Sequence, residues 1–167
     1  MFSSCRFERC GLRWVGFAVL VGVTMGCGGP GGPPPPELST MVRVPAGEFT
    51  MGRDDGSDDE RPAHKVYLDE YYIDRTEVTN RQFKAFCDAT GRLMPNNPTW
   101  AESYLQQELE SPVLNITWEQ AQLYCEWARK RLPTEAEWEK AARGTDDRIY
   151  PWGSAWVDSA ANLAFTV

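Results

Sequence analysis

Histidine is nearly missing from this chain: His64 is its single example among 167 residues. One histidine cannot build a three-histidine or two-histidine zinc centre. No serine stands in a nucleophile-elbow context, so a Ser-His-Asp hydrolase is excluded as well. The glycines between Gly28 and Gly32 run into prolines and not into a helix, so they form no phosphate-cradling loop. His64 itself lies beside a strand-like segment and reads as a surface or hydrogen-bonding residue.

Cysteine is scarce once the N-terminus is set aside. Of five cysteines, Cys5 and Cys10 precede an apolar run and Cys27 closes it. Cys87 and Cys125 remain, each on the apolar face of a predicted helix. They have no CxxC spacing and no histidine neighbour, which argues against zinc. Export would permit a disulfide, and two free thiols are the other reading.

No hydrophobic run is long enough for a comfortable membrane span, which needs about 20 residues. The apolar run from Trp14 to Met25 follows Arg6, Arg9 and Arg13, the arrangement of a signal peptide. Thr24-Met25-Gly26-Cys27 resembles a bacterial lipobox, with Cys27 as the lipidated residue, ordinary secretion or a retained anchor being the other readings. Residues 1–26 are therefore expected to be a lipoprotein-type signal peptide. Residues 27–40, which include GGPGGPPPP, read as an extended Gly/Pro-rich tether. Residues 41–167 are the expected folded part.

Positive charge is also in short supply. Of 17 basic and 24 acidic residues, three and one lie in the leader, so the remainder carries a formal net charge of −9. A nucleic-acid binder needs a basic face, and none is present. The run Asp54-Asp55-Gly56-Ser57-Asp58-Asp59-Glu60 lacks the ligand order of a calcium-binding EF-hand loop and reads as a solvated loop.

What is present is an alternation of short strands and capped helices. Val42 to Val44, Glu48 to Met51, Lys65 to Leu68 and Tyr71 to Ile73 have the β-branched and aromatic content of strands. Thr79 with Gln82, Thr117 with Gln120 and Thr134 with Glu137 each form a capping box at a helix start. Gly91 and Gly144 stand where the first and last of these helices should stop. Ala121, Tyr124, Cys125 and Ala128 make the buried face predicted for the middle helix, and Trp138, Ala141 and Ala142 the stripe predicted for the last. Glu135, Glu137 and Glu139 read as complements to a helix dipole on a solvated face. Leu93 to Gln107, with Pro95, Asn96, Asn97 and Pro98, reads as a loop. Tyr150 to Gly153 reads as a short strand and turn.

The stretch NITWEQAQLYCEWARKRLPTEAEWEKAARG, from Asn115 to Gly144, resembles the signature of the formylglycine-generating enzyme (sulfatase-modifying factor) family. Met41 to Gly52, Glu60 to Val66, Tyr72 to Phe83 and Tyr150 to Gly153 resemble other parts of that family in the same order. The likeness runs from Met41 to about Asn162. It implies an α+β, C-type-lectin-like mixed fold, here incomplete at the C-terminus.

Catalytic members of the family oxidise a sulfatase cysteine to formylglycine with oxygen and copper(I) held by two thiolates, ligands that suit this soft ion. The resemblance places that pair in the domain's second half, so the 167 residues are expected to lack it. It also implies that Cys125 is the helix cysteine that some relatives pair in a disulfide near the domain's end. Here Cys125 is expected to be free or mispaired, and Cys87 has no clear counterpart. Asn162 and Leu163 resemble the start of a structural calcium site, through a side-chain oxygen and a carbonyl.

Two functions follow from the likeness. One is an exported, lipid-anchored protein of the bacterial cell envelope that is oxidase-type at family level, with a sulfatase or other envelope protein as partner. The other is a non-catalytic binding or scaffold lipoprotein on the same fold. No catalytic residue can be named from the matched positions, because caps and packing already explain Arg131 to Glu139.

Overall fold

A computed structural model describes residues 20–21, 41–157 and 159–160. These residues fall into two compact units. One takes Gly47–Leu68 and the described residues from Glu135 onward. The other takes residues 20–21 and 41–46 together with Asp69–Thr134.

In the second unit, β1 (Leu20–Val21), β2 (Met41–Val44) and β5 (Tyr71–Asp74) form an antiparallel sheet in the order β1-β5-β2. Arg43 lies opposite Tyr72 and Val44 opposite Tyr71. Helix α1 (Asn80–Thr90) starts where its capping box predicts. The Thr79 side chain accepts from the Gln82 amide, and the Gln82 side chain accepts from the Thr79 amide. Gly91 ends α1 in the left-handed region, φ 68°, which a residue without a Cβ adopts freely. Phe83, Phe86 and Cys87 line its buried face at helical spacing.

The segment read as a loop, Leu93 to Gln107, contains a short helix, α2 (Tyr104–Gln107). Its local pattern is too brief to show a period. Tertiary contacts fix it instead: Leu105 is buried, and its amide donates to Asn97 Oδ1 at 2.8 Å. Helix α3 (Trp118–Trp127) opens on a second complete capping box, Thr117 with Gln120. The core of this unit gathers Val78, Phe83, Phe86, Cys87, Leu105, Val113, Tyr124, Cys125 and Ala128.

In the first unit, β3 (Gly47–Met51) and β4 (His64–Leu68) form an antiparallel pair with Phe49 opposite Val66. Phe49 is the large buried side chain here. The acidic run folds as a surface loop with a 3-10 turn at Asp58–Glu60. Helix α4 (Glu135–Arg143) begins directly after Thr134, and Gly144 follows it at φ 71°. Tyr150 and Gly153 make an isolated bridge, so the predicted strand is reduced to a turn closed by hydrogen bonds of 2.8 and 3.0 Å. Among the described residues, no helix is long and apolar enough to cross a membrane.

Candidate functional site

The stretch from Asn115 to Gly144 places its residues in two settings of different chemistry. The first is built around α3. Tyr124 stacks on Phe83, with ring centroids 5.7 Å apart and planes at 20°, and meets Phe86 edge-on at 5.7 Å. Trp127 adds a fourth ring, 5.6 Å from Phe86 and 5.8 Å from Tyr124. Such offset and edge-to-face pairs add about 0.5–1.5 kcal/mol each beyond burial. Cys125, one residue along, is wholly buried.

Burial dominates the acid–base behaviour of this setting. It pushes the Cys125 thiol up to about 12, against a smaller opposing pull from Lys130. Burial likewise pushes the Tyr124 hydroxyl far above its ordinary range. Cys87 is raised too, first by burial and then by the neighbouring Asp88. Its thiol donates to the Leu93 carbonyl at 3.5 Å. Both Cys87 and Cys125 are free, buried thiols.

Beside this core lies a buried ion pair. Lys130 Nζ donates to both carboxylate oxygens of Asp74 at 2.6 Å, and the two side chains are 7% and 13% exposed. Burial raises the Asp74 carboxyl, with Lys130 opposing that rise. The backbone of Lys130 is tied to the same helix, its amide donating to the Cys125 carbonyl at 2.6 Å. Nothing local in the sequence joins Asp74 to Lys130, so residue-by-residue reading missed the pair.

The second setting is built around α4. Glu139 Oε1 accepts from the Gly52 amide at 2.8 Å and pairs with Arg143 one turn along the helix. Arg143 also donates through Nε to the Arg148 carbonyl at 2.8 Å and through a terminal nitrogen to the Gly52 carbonyl at 3.3 Å. Lys140 donates to the Gly47 carbonyl at 2.8 Å, and burial lowers its ammonium below the usual range.

These contacts correct the sequence reading of α4. The stripe of Trp138, Ala141 and Ala142 is only half-buried, whereas Glu137 and Lys140 are buried. Glu135 alone of the three glutamates is exposed as expected. A buried polar side chain is tolerated when hydrogen-bonded, and for Lys140 the Gly47 carbonyl supplies a partner that α4's own periodicity cannot reveal. The Glu139–Arg143 spacing of four was the available signal.

Gly52 is fixed by the same arrangement. Its φ is +77°, and a Cβ there would lie 2.3 Å from the Glu60 carbonyl oxygen. Only glycine fits both demands.

The remaining expected site residues behave differently. Cys27, Asn162 and Leu163 lie outside the described residues. His64 is exposed, with Nδ1 2.9 Å from the Pro62 carbonyl oxygen, as a hydrogen-bonding surface residue should be. Among the described residues there is no group of three or more histidine, cysteine, aspartate or glutamate side chains placed to hold a metal ion. A copper(I) dithiolate site needs ionised thiols that a metal can reach. Cys87 and Cys125 are both buried, and among the described residues no third ligand-type side chain gathers with them.

Comparison with known proteins gives a consistent picture. Residues 31–166 match the sulfatase-modifying factor enzyme 1-like domain. The chain is 35% identical to the mouse formylglycine-generating enzyme over 167 aligned residues, covering 74% of this chain and 45% of that protein. It is 34% identical to the mouse inactive C-alpha-formylglycine-generating enzyme 2, covering 74% and 54% respectively. The structure of PvdO from Pseudomonas aeruginosa superposes with a TM-score of 0.59 at 28% identity, covering 74% of this chain and 53% of that one. The chain thus spans about half the length of these relatives. Its mixed helices and small sheets agree with the PvdO fold.

Proposed function

Because the chain belongs to the sulfatase-modifying factor enzyme 1-like family, we propose that it supplies the framework half of an exported, lipid-anchored domain of formylglycine-generating type. In this reading Cys27 carries the lipid and residues 27–40 tether the fold to the bacterial envelope. The family's C-type-lectin-like fold is the scaffold. The domain is oxidase-type at family level, with copper(I) as its metal, calcium as a structural ion near Asn162 and Leu163, and a sulfatase or other envelope protein as partner.

The observation that carries the framework assignment is the state of the thiols. Cys125 is fully buried with its thiol at about 12, and Cys87 is 2% exposed with its thiol raised. Both sulfurs lie inside the packed core and not at a surface open to a substrate cysteine. The signature residues do structural work instead: Thr117 and Gln120 cap α3, Lys130 pairs with Asp74, and Glu139 and Arg143 hold the Gly52 turn. When bound, copper(I) would supply oxygen activation.

The test uses the purified 167-residue chain with copper(I), oxygen and a cysteine-bearing sulfatase peptide, read by mass spectrometry. The framework reading expects no aldehyde at any copper level. Aldehyde formation that disappears in Cys87→Ser or Cys125→Ser would overturn it.

A non-catalytic binding or scaffold lipoprotein is the second reading. The likeness to an inactive relative at 34% identity supports it about as well as the active relatives support the first. Copper-independent capture of an envelope protein would favour it.

A further inference from the structure

The apolar run from Trp14 to Met25, read from the sequence as part of a leader, contains β1 (Leu20–Val21). A leader is expected to stay apart from the fold it precedes. Yet these residues close one side of β5, with Leu20 opposite Ile73 and Val21 opposite Tyr72 in antiparallel register. On its other side β5 is paired along its whole length, from Met41 opposite Asp74 to Val44 opposite Tyr71. β1 is therefore the edge strand of this sheet, and without it the edge passes to β5.

Successive residues of a strand turn their N–H and C=O groups to opposite neighbours. Of Tyr72 and Ile73, one therefore faces β2 and the other faces β1. A bare edge offers such groups to any passing strand, and a very short edge strand is one way proteins blunt it. Tyr71 is buried and Tyr72 and Ile73 are half-buried, so the guarded strand belongs to the packed part of its unit. The guard is weakly held. Two paired residues bind β1, whereas the whole run from Trp14 to Met25 gains by leaving water, in proportion to its apolar area. Arg6, Arg9 and Arg13 add attraction to anionic headgroups.

We propose that the leader is a releasable edge guard. In the free chain its Leu20–Val21 strand covers β5, and at a bilayer the apolar run leaves the sheet and opens that edge. The proposal rests on the reading of residues 1–26 as a leader. A sheet edge and an acyl layer compete for one segment, and the apolar area at stake decides for the bilayer. The Gly/Pro-rich stretch read as a tether, residues 27–40, stands between β1 and β2 in the sequence, so β1 leaves without pulling β2 from β5.

Amide hydrogen exchange of the full chain tests it, with and without vesicles of phosphatidylethanolamine and phosphatidylglycerol, while sedimentation reports binding. Without vesicles the Tyr72 and Ile73 amides should both be protected. With vesicles the chain should sediment and the β1-facing amide should exchange about tenfold faster, while its β2-facing neighbour stays slow. Leu20→Pro with Val21→Pro removes the amides of β1 and should unprotect the same β5 amide without vesicles. Circular dichroism should show that variant folded, since the core of this unit is drawn from Val78 to Ala128. Sedimentation with exchange unchanged at both amides would overturn the proposal and leave the leader reading standing. Acceleration at both amides would overturn it as well, because the sheet would then be melting. A chain that stays off the vesicles would remove the leader reading and the proposal with it.

Discussion

The two compact units solve the same stability problem with opposite materials. The unit holding α1 and α3 buries Phe83, Phe86, Tyr124 and Trp127 in a ring cluster, and most of its interior is apolar. The unit holding β3, β4 and α4 buries Phe49 but otherwise relies on Glu139, Lys140 and Arg143 hydrogen-bonding to backbone groups at Gly47, Gly52 and Arg148. Apolar packing tolerates volume-conserving exchange, because its energy follows buried area and fit. Polar pins tolerate little, because losing one partner leaves another buried group unsatisfied. The difference explains why α4's sequence looks amphipathic in the wrong register.

Substitutions sharpen this contrast, and the largest effect should come from the buried Lys130–Asp74 ion pair beside the apolar core. Lys130→Ala strands Asp74 in a buried position and should cost about 3–5 kcal/mol in urea unfolding. The double change Asp74→Leu with Lys130→Met should recover most of that loss. If it does not, the pair contributes more than mutual compensation. Phe83→Ala should cost about 3–4 kcal/mol by emptying the ring cluster, whereas Phe83→Leu should cost much less.

In the polar unit, Gly52→Ala forces a Cβ against the Glu60 carbonyl and a left-handed φ, and should cost at least about 2 kcal/mol. Glu139→Gln keeps an acceptor for the Gly52 amide but loses charge. It should cost less than Glu139→Ala, which should lose about 1–3 kcal/mol. Equal losses for the two would mean that the Arg143 ion pair, and not the amide contact, carries the effect.

The effect that vanishes at neutral pH is alkaline. An exposed thiol in the unfolded chain ionises near 9.0, while folded Cys125 holds its proton to about 12. Its folded value is raised, so its contribution to stability is complete below pH 9 and is lost as pH climbs from there toward 12. Cys125→Ala should remove that slope from the stability curve, read by denaturant midpoint against pH.

Local chemistry carried much of the fold into the sequence. The capping boxes at Thr79 and Thr117 set the starts of α1 and α3, and Gly91 set the end of α1. Alternation and β-branched content gave β2 to β5 within a residue or two. Helix α2 was hidden because four residues show no period and its anchor is Asn97, eight residues before Leu105. Burial of Glu137 and Lys140 was hidden because a polar residue announces exposure unless its partner is known, and Lys140's partner is the distant Gly47 carbonyl. The Asp74–Lys130 pair spans 56 positions and leaves no local trace. The free, buried state of Cys87 and Cys125 was one of two readings left open by their place on apolar helix faces.

The account stands on those two thiols being framework and not chemistry. Timed alkylation at pH 8, followed by peptide mass spectrometry, measures this for Cys87 and Cys125 separately. The expected result is negligible labelling of both in the native chain, unchanged by copper(I), and full labelling once denaturant unfolds it. Rapid native labelling of either cysteine, slowed by copper(I), would contradict the account and make that cysteine a metal ligand.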